Sequence, residues 1–376
     1  MPFGNAPARG WLFLALTTIA LNMTHRQITT SDKDVMLVAR DARLRYVSDR
    51  RPGLKRKRSG PGFRYVTADG KHANRAELGR IRELAIPPAW EQVWICPHPN
   101  GHLQATGRDA KGRKQYIYHA QWHAARKETK FHRLAQFGRG LPKIRRRVAR
   151  DLRLRGLPRD KVVAAVVWLL EQTHIRIGNP EYADENQSFG LSTMRNRHVA
   201  VRGERFEFRF RGKSGKFHQV DFTNKRLARI VKRCQELPGY DLFQYIDAAG
   251  EIRNMTSDDV NDYLHAIAGE EFSAKDFRTW AGTIRAAQIL QRLNGNDNAQ
   301  PTASALVAAI DEVAVSLGNT RTVCRKYYIH PTIMDAYLDG TLKQWFTGPS
   351  PRPNRTGLSS EEEAVLRLLK RRYEVG

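Results

Sequence analysis

The pattern of apolar residues changes near residue 120, and this change constrains the architecture more than any other feature of the chain. Between Leu44 and His119, short alternating segments stand between turn residues, which is the pattern of strands. From about Arg126 onward, apolar residues recur at helical spacing. At 376 residues the chain is also too long for one comfortable core. We therefore predict an α+β protein with a small strand-rich N-terminal domain and a larger, mainly α-helical domain that carries a small β-sheet.

The predicted domain boundaries follow from the same change of pattern. We expect an N-terminal α+β domain over residues 35–122 and the helical domain over residues 123–346. Residues 347–376 are predicted to form a linker and a last helix, with Ser360 and Glu363 as its capping box.

Residues 1–34 are assigned to neither domain. The apolar run Trp11–Leu21 has one basic residue, Arg9, before it and is too short to cross a bilayer. We expect a disordered extension or a mis-assigned start, with Met23 or Met36 as the alternative first residue.

Short alternating segments predict the strands of the first domain. Leu44–Ser48 and Phe63–Thr67 are two of them. The basic segment Arg50–Arg58 between them contains Pro52-Gly53 and is predicted to be a turn. This domain should therefore present a basic surface.

In the second domain the patterns predict a buried helix, a hairpin and several further helices. Lys161–Thr173 is almost wholly apolar, and Gly178-Asn179-Pro180 is placed to end that helix. Val199–Phe222 alternates with period two, which predicts a hairpin whose tip is Gly212–Lys216. Further helices are predicted at Leu227–Cys234, Ser257–Ala268, Thr283–Leu293 and Ala303–Leu317.

The charge balance is strongly basic. The chain has 64 Lys and Arg against 38 Asp and Glu, a net charge of +26 with a pI near 10.4. Such an excess is typical of proteins that bind nucleic acid. Anionic membranes are the weaker alternative, because the basic residues are spread along the chain. Charge alone does not separate an enzyme from a ribosomal or chromatin protein.

The sequence lacks the motifs of the common nucleotide- and metal-dependent enzymes, such as the GxxxxGK[ST] phosphate loop, HExxH and paired Cys-x-x-Cys. Cys96, Cys234 and Cys324 are odd in number and far apart, which excludes a disulfide framework and favours a reducing cytoplasm. We therefore expect no cofactor and no metal. An enzyme of this kind must supply both cations and nucleophile from its own side chains.

Two arginines are candidates for binding a phosphate. Arg176 follows an almost wholly apolar helix, where a charge is costly unless it has a ligand or a carboxylate partner. A structural explanation, in which Arg176 reaches the surface or pairs with Glu181 or Asp184, is equally good when this segment is taken alone. Arg278 begins a helical run, and taken alone it is more simply explained by a surface salt bridge with Asp276.

Two lysines and two tyrosines complete the candidate set. Lys213 and Lys216 flank the predicted hairpin tip, from which a lysine can reach a phosphate and donate a proton, although most lysines at turns are only solvated. A free lysine, with a pKa of about 10.4, is a poor acid, so neighbouring arginines would have to lower that pKa. Tyr327 and Tyr328 lie in a basic segment, and a tyrosine with a pKa of about 10 needs nearby positive charge to attack.

Together these segments resemble the type IB DNA topoisomerases, in the poxvirus-like form found in bacteria. The resemblance covers roughly residues 40–345 and occurs in the family's order. The segments that carry it are Ile86–Trp90 and Ala105–His119 in the first domain, and Arg176–Thr193, Phe210–His218, Lys275–Thr279 and Leu317–Ile329 in the second.

The resemblance implies the fold shared by tyrosine recombinases and type IB topoisomerases. It implies that Tyr328 is the nucleophile that becomes joined to a 3′-phosphate, and that Arg176 and Arg278 bind the scissile phosphate. Lys213 matches the general acid for the 5′-oxygen. Asn319 stands where many relatives have histidine, and an amide donates a hydrogen bond without carrying a charge.

The same resemblance implies the partner and the reaction. The protein is expected to relax supercoiled duplex DNA without ATP or metal, as a monomer whose two domains close on DNA as a clamp, in the cytoplasm at the nucleoid. Further DNA contacts are expected from Arg108, Lys114, Tyr116, Tyr118, Lys216 and Lys275.

Two alternatives stay open on the sequence. A tyrosine site-specific recombinase has a related catalytic set, but its second arginine belongs to a His-x-x-Arg motif, where this chain has Lys275. Its N-terminal module is also helical, whereas residues 44–119 are predicted to be strand-rich. A non-enzymatic basic DNA-binding protein explains the charge but gives no reason for the ordered segments.

Overall fold

A computed structural model describes residues 30–269, 272–293, 301–347 and 357–374. The chain forms two compact units, the first ending at Thr129 and the second beginning at Lys130. A small N-terminal sheet and a larger helical unit confirm the predicted α+β class. Of the predicted extension, residues 1–29 lie outside the described residues, and residues 30–34 belong to helix α1 (Thr30–Asp41).

The first unit is built on a five-stranded antiparallel sheet in the order β2-β1-β3-β4-β5. Ile81 of helix α2 lies in one apolar cluster with Leu54, Ile95 and Ala105 of the sheet, so the helix supports these strands. The bounds are β1 Leu54–Ser59, β2 Gly62–Val66, α2 Arg75–Glu83, β3 Glu91–Ile95, β4 Leu103–Arg108 and β5 Lys114–Tyr118.

Strand β1 corrects the prediction of a turn at Arg50–Arg58. Its backbone pairs with β2 on one side and β3 on the other, so ladder hydrogen bonds outweigh the crowding of its cations. Arg56 illustrates how the charge is accommodated. Its guanidinium lies 4.2 Å from the centre of the Phe63 ring and donates to the carbonyl oxygen of Trp90 at 2.5 Å.

The strand predicted at Leu44–Ser48 is also wrong. Only Arg45 makes an isolated bridge, to Gly101. The Leu44 N–H instead donates to the Ala39 carbonyl at 2.7 Å, and Arg43 has a φ of 55°. The segment therefore closes the end of helix α1 and is not free to extend a ladder.

The second unit is mainly helical. Helix α4 is buried along most of its length, with Val162–Val167, Leu169 and Leu170 inside the core, and α8 packs against it. Helix α3, Ala120–Asp151, begins in the first unit and continues into the second. The other helices of the second unit are α4 Arg159–Thr173, α5 Pro180–Asn186, α6 Lys225–Gln235, α7 Ser257–Ala268, α8 Ala274–Leu293, α9 Ala303–Ser316, α10 Arg321–Tyr327, α11 Pro331–Leu338 and α12 Ser360–Glu374.

Two small antiparallel sheets accompany these helices. β6 (Val199–Arg202), β7 (Arg205–Arg211) and β8 (Phe217–Thr223) form three adjacent strands, so the predicted hairpin is β7-β8 with one further strand beside it. β9 (Gln244–Ile246) pairs with β10 (Ile252–Asn254).

One helix ends where predicted but by a different cause, and another begins earlier than predicted. Helix α4 ends at Thr173 because His174 adopts a left-handed conformation with a φ of 54°. Gly178-Asn179-Pro180 does not end it; the Asn179 side chain instead caps α5 by accepting the Tyr182 N–H. Helix α8 begins nine residues before the predicted Thr283. Its first turn is capped by Asp276, whose carboxylate accepts the Ser273 N–H at 2.8 Å.

The capping box of α12 is shifted by one residue from the prediction. Ser359 and Glu362 form it, with the Ser359 N–H donating to Glu362 at 2.9 Å and the Glu362 N–H to Ser359 Oγ at 3.2 Å. Glu362 also accepts from Arg145 and from the Trp280 indole at 3.0 Å, which fixes this register. Of the linker predicted before this helix, residues 348–356 lie outside the described residues.

Within the described ranges, no helix is both long and apolar enough to cross a membrane.

Candidate active site

Arg278 connects the two segments that carry Arg176 and Asn319. It lies in the second turn of α8 and is 5% exposed. Its guanidinium donates to the carbonyl oxygen of Leu317 at 2.6 Å and to that of His174. These carbonyls come two residues before Asn319 and two residues before Arg176. One planar side chain therefore fixes both segments against each other.

Arg176 lies on the extended segment between α4 and α5 and contacts Asn319 directly. Its Nη2 donates to Asn319 Oδ1 at 2.5 Å. Two of the acidic partners considered from the sequence are engaged elsewhere: Asp184 lies 3.9 Å from Arg195, and Asp276 caps its own helix. Three predicted site residues that are far apart in sequence, Arg176, Arg278 and Asn319, thus form one connected group.

This group holds positive charge and unused hydrogen-bond donors. Burial and the neighbouring Arg278 lower the pKa of Arg176, which as an arginine still keeps its charge. Arg278 Nε and Asn319 Nδ2 are buried and have no partner among the described residues. Buried donors beside unpaired cations are costly unless an anion completes them. The arrangement suits a phosphate.

Tyr328 places its ring against the same cations. It caps helix α10, where its N–H donates to the Cys324 carbonyl at 2.9 Å. The Arg278 guanidinium carbon lies 5.2 Å from the ring centre. A Cβ added to Gly282 of α8 would lie 2.7 Å from the Tyr328 carbonyl oxygen, so this close approach requires glycine. Tyr327 is 37% exposed and has Lys326, not an arginine, over its ring.

Lys130 of α3 was not among the predicted residues, yet it also lies over Tyr328. Its ammonium is 5.3 Å from the ring centre and donates to the Tyr327 carbonyl oxygen. Burial, together with repulsion from Lys275, lowers the pKa of Lys130 to about 7, against an opposing effect of Asp276. The sequence offers no signal for it, because α3 contains many other basic residues.

The hairpin tip does not bring Lys213 into contact with this group. Lys213 lies in a 3₁₀ turn with Ser214 and Gly215, is exposed, and makes no hydrogen bond or ion pair within the described part of the chain. Lys216 does reach the group, since its ammonium donates to the Asn319 carbonyl oxygen at 3.5 Å. Lys275 is exposed in the first turn of α8.

The residues predicted to contact DNA from the first unit share the β4-β5 edge of its sheet. Tyr116 is 48% exposed and stacks on Tyr118, with ring centres 5.9 Å apart. Arg108 is exposed and donates to the Gly112 carbonyl at 2.7 Å. Lys114 forms a salt bridge with Asp49 at 2.5 Å, so part of its charge is already neutralised.

In the ranges that the structure covers, no group of three or more His, Cys, Asp or Glu side chains could hold a metal ion.

Comparison with known proteins assigns the family. Residues 119–344 match the family described as eukaryotic DNA topoisomerase I, catalytic core, and residues 62–109 match the bacterial DNA topoisomerase IB N-terminal domain. The DNA topoisomerase 1B of Acanthamoeba polyphaga mimivirus is 31% identical over 293 residues, covering 76% of this chain and 87% of the relative. The DNA topoisomerase 1B of Vaccinia virus (strain Copenhagen) is 22% identical, covering 66% and 76%.

The chain therefore belongs to the type IB DNA topoisomerases. Within that family it is of the bacterial, poxvirus-like form, as the N-terminal match and the viral relatives together indicate. The predicted family and enzyme class are confirmed. The catalytic roles of individual residues stay predictions.

Proposed function

We propose that this topoisomerase relaxes supercoiled duplex DNA by cutting one strand through Tyr328 and resealing it. The observation that carries the proposal is the connected group of Arg176, Arg278 and Asn319. Among the described residues, this group combines arginines that have no carboxylate partner and buried donors that have no acceptor with a tyrosine ring 5.2 Å from one of the guanidinium groups.

The proposed cleavage step is an in-line exchange at phosphorus. The Tyr328 phenol loses its proton to solvent, and its oxygen forms a bond to phosphorus while the bond from phosphorus to the 5′-oxygen breaks. Lys213 gives its proton to that leaving oxygen. The products are a 3′-phosphotyrosyl enzyme and a free 5′-hydroxyl.

Arg176, Arg278 and the Asn319 amide stabilise the charge that develops on the non-bridging oxygens. Because these donors are fixed before DNA arrives, they need little reorganisation during the reaction. Arginine suits the task because its fork binds two oxygens and keeps its charge.

Resealing is the same exchange in the reverse direction. The 5′-hydroxyl returns its proton to Lys213 and attacks phosphorus, and Tyr328 leaves. The number of phosphoester bonds is unchanged at every stage, so the reaction needs no ATP. The charge stabilisation that a metal would otherwise supply is proposed to come from Arg176 and Arg278. Rotation of the free 5′ end between the two steps releases supercoils.

The first unit is proposed to hold the duplex, through Arg108, Lys114, Tyr116 and Tyr118. We propose a monomer in which the two domains close around DNA as a clamp, with Lys216 and Lys275 adding phosphate contacts from the second unit. The site of action is the nucleoid in the cytoplasm. We also propose that the helical domain, residues 123–346, has the fold shared with tyrosine recombinases. Because the proposed DNA contacts are mainly to phosphates, DNA binding should weaken steeply with increasing salt.

Plasmid relaxation tests the proposal. Wild-type protein should relax both negatively and positively supercoiled plasmid in EDTA without ATP, and Tyr328→Phe should bind DNA but relax neither. Tyr327→Phe is the matched control and should relax both. A wild-type protein that leaves the linking number unchanged would reduce the chain to a DNA-binding protein. Relaxation by Tyr328→Phe would exclude this tyrosine as the nucleophile.

A further inference from the structure

A histidine outside the predicted set, His218, fills the space between the hairpin tip and the turn that carries Asn319. It stands opposite Phe210 in the β7-β8 pair, and the two rings stack with centres 5.1 Å apart at 10°. A Cβ added to Gly212 would lie 2.6 Å from His218 Cδ2, and one added to Gly318 would lie 3.3 Å from its Cε1. The imidazole therefore contacts the backbone on both sides.

The two glycines are the immediate neighbours of two predicted site residues. Gly212 precedes Lys213, and Gly318 precedes Asn319. Gly318 has a φ of 59°, which favours glycine on conformational grounds. Gly212 has a φ of −96°, which any residue adopts, so only the imidazole excludes a side chain there.

The turn that carries Asn319 is the fixed side of this contact. The Asn319 N–H donates to the Ala314 carbonyl at 2.9 Å, and the Gly318 N–H to the Val315 carbonyl at 3.0 Å. Arg278 holds the Leu317 carbonyl oxygen at 2.6 Å.

The hairpin tip is the exposed side of this contact. Lys213, Ser214 and Gly215 are all exposed. The tip is closed by the Gly212 N–H, which donates to the Lys216 carbonyl at 2.7 Å, and by the Gly215 N–H, which donates to the Gly212 carbonyl at 3.0 Å. Apart from the long Lys216 contact, the packing of Gly212 on His218 is what relates this tip to the site.

The charges around His218 favour the neutral ring. Burial lowers the pKa of His218, and so does repulsion from Arg176, Arg278 and Lys216. An uncharged imidazole adds bulk here without adding a further cation to the site.

We propose that His218 is a positioning residue, a spacer between the Asn319 turn and the hairpin that sets where Lys213 meets the leaving 5′-oxygen. The inference rests on the proposed function. It predicts a defect confined to the protonation of the leaving group, because the arginines and Tyr328 are held by other contacts.

A substrate that needs no protonation isolates this role. The probe is a duplex oligonucleotide with sulfur in place of the 5′-oxygen at the mapped cleavage site. Its leaving group is a thiolate, the conjugate base of a thiol with a pKa of about 8.5, which departs without an acid. Single-turnover rates of covalent adduct formation are measured on this duplex and on the natural one.

The variant His218→Ala should cleave the natural duplex at least about tenfold more slowly, since a well-placed general acid contributes about 10²–10⁴-fold. On the sulfur duplex it should approach the wild-type rate, as Lys213→Ala should. Normal adduct formation there also shows that the variant is folded. His265→Ala, at an exposed histidine of α7, is the matched control and should behave as wild type on both substrates.

A second variant tests the contact itself. Gly212→Ala should slow cleavage of the natural duplex in the wild-type background, because its Cβ displaces the imidazole. It should cost little more in the His218→Ala background, where that obstacle is gone.

Equal losses by His218→Ala on both duplexes, or additive effects of the two substitutions, would overturn the inference while leaving the proposed function intact. A wild-type protein that forms no adduct with either duplex would overturn both.

Discussion

Replacing Arg278 separates its two contributions, to the fold and to the reaction. The side chain is 5% exposed and donates to two backbone carbonyls, those of His174 and Leu317. Arg278→Ala leaves both acceptors unpaired, and each buried unpaired acceptor costs about 1–3 kcal/mol. The free energy of unfolding should therefore fall by about 2–6 kcal/mol.

The effect of Arg278→Ala on cleavage should be larger than a loss of stability explains. Removing one preorganised donor from a developing oxyanion typically costs about 10²–10³-fold in rate, or about 2.7–4 kcal/mol. Arg278→Lys restores the charge but not the planar fork, so it cannot hold both carbonyls. We expect it to cleave at least about tenfold more slowly than wild type.

The assay is single-turnover covalent adduct formation, run at a temperature where urea denaturation shows each variant to be folded. Arg285→Ala is the matched control on the same helix. Arg285 is exposed and pairs with Glu312 at 2.6 Å, so its loss should change the cleavage rate little. Cleavage by Arg278→Ala within threefold of wild type, or full activity of Arg278→Lys, would refute the role of the guanidinium.

Three further substitutions test the surroundings of Tyr328. Lys130→Met should raise the melting temperature and slow cleavage. Because the pKa of Lys130 is about 7 in the folded protein and about 10.4 in the unfolded chain, the gain in stability should be largest below pH 7 and disappear above pH 10.4. A gain in stability that does not depend on pH would contradict this. Asn319→Asp gives Arg176 a counter-charge, so this variant should have a more stable fold. It should nevertheless form the covalent adduct about a hundredfold more slowly, because the amide donor is lost. Normal cleavage by this variant would exclude the amide as a donor. Gly282→Ala is a change that normally stabilises a helix. Here it should lower the free energy of unfolding by about 1–3 kcal/mol and slow cleavage, because the added Cβ meets the Tyr328 carbonyl oxygen. A variant that is stabilised and active would contradict that packing.

The helical core was predictable because its signal is local. The apolar run of α4 and the alternation of β7 and β8 are explained by burial alone, and both elements were placed correctly within a few residues. Strand β1 was missed because its composition is basic, and the backbone pairing with β2 and β3 that stabilises it leaves no mark on the side-chain pattern.

The candidate site shows the same division between local and distant information. Arg176, Arg278, Asn319 and Tyr328 were named from a resemblance of ordered segments, and they do lie together. No local pattern indicates that the Arg278 guanidinium binds carbonyls on two other segments.

Lys130 and His218 were missed because only contacts with distant parts of the chain distinguish them. Lys130 is one basic residue among many on a long helix, and what distinguishes it is the ring of Tyr328, which lies almost two hundred positions away. His218 was noted in the sequence only as the last residue of the segment Phe210–His218, with no role of its own. Its packing between Gly212 and Gly318 depends on how the hairpin meets the α9-α10 turn.

The most direct test of the account is the location of the covalent bond to DNA. A duplex whose cleaved 5′ fragment diffuses away traps the adduct, which is digested with protease and nuclease and analysed by mass spectrometry. The account predicts a nucleotide 3′-phosphate on Tyr328 and none on Tyr327. A phosphoryl group on Tyr327 or on any other residue, or a 5′-phosphate linkage, would contradict it.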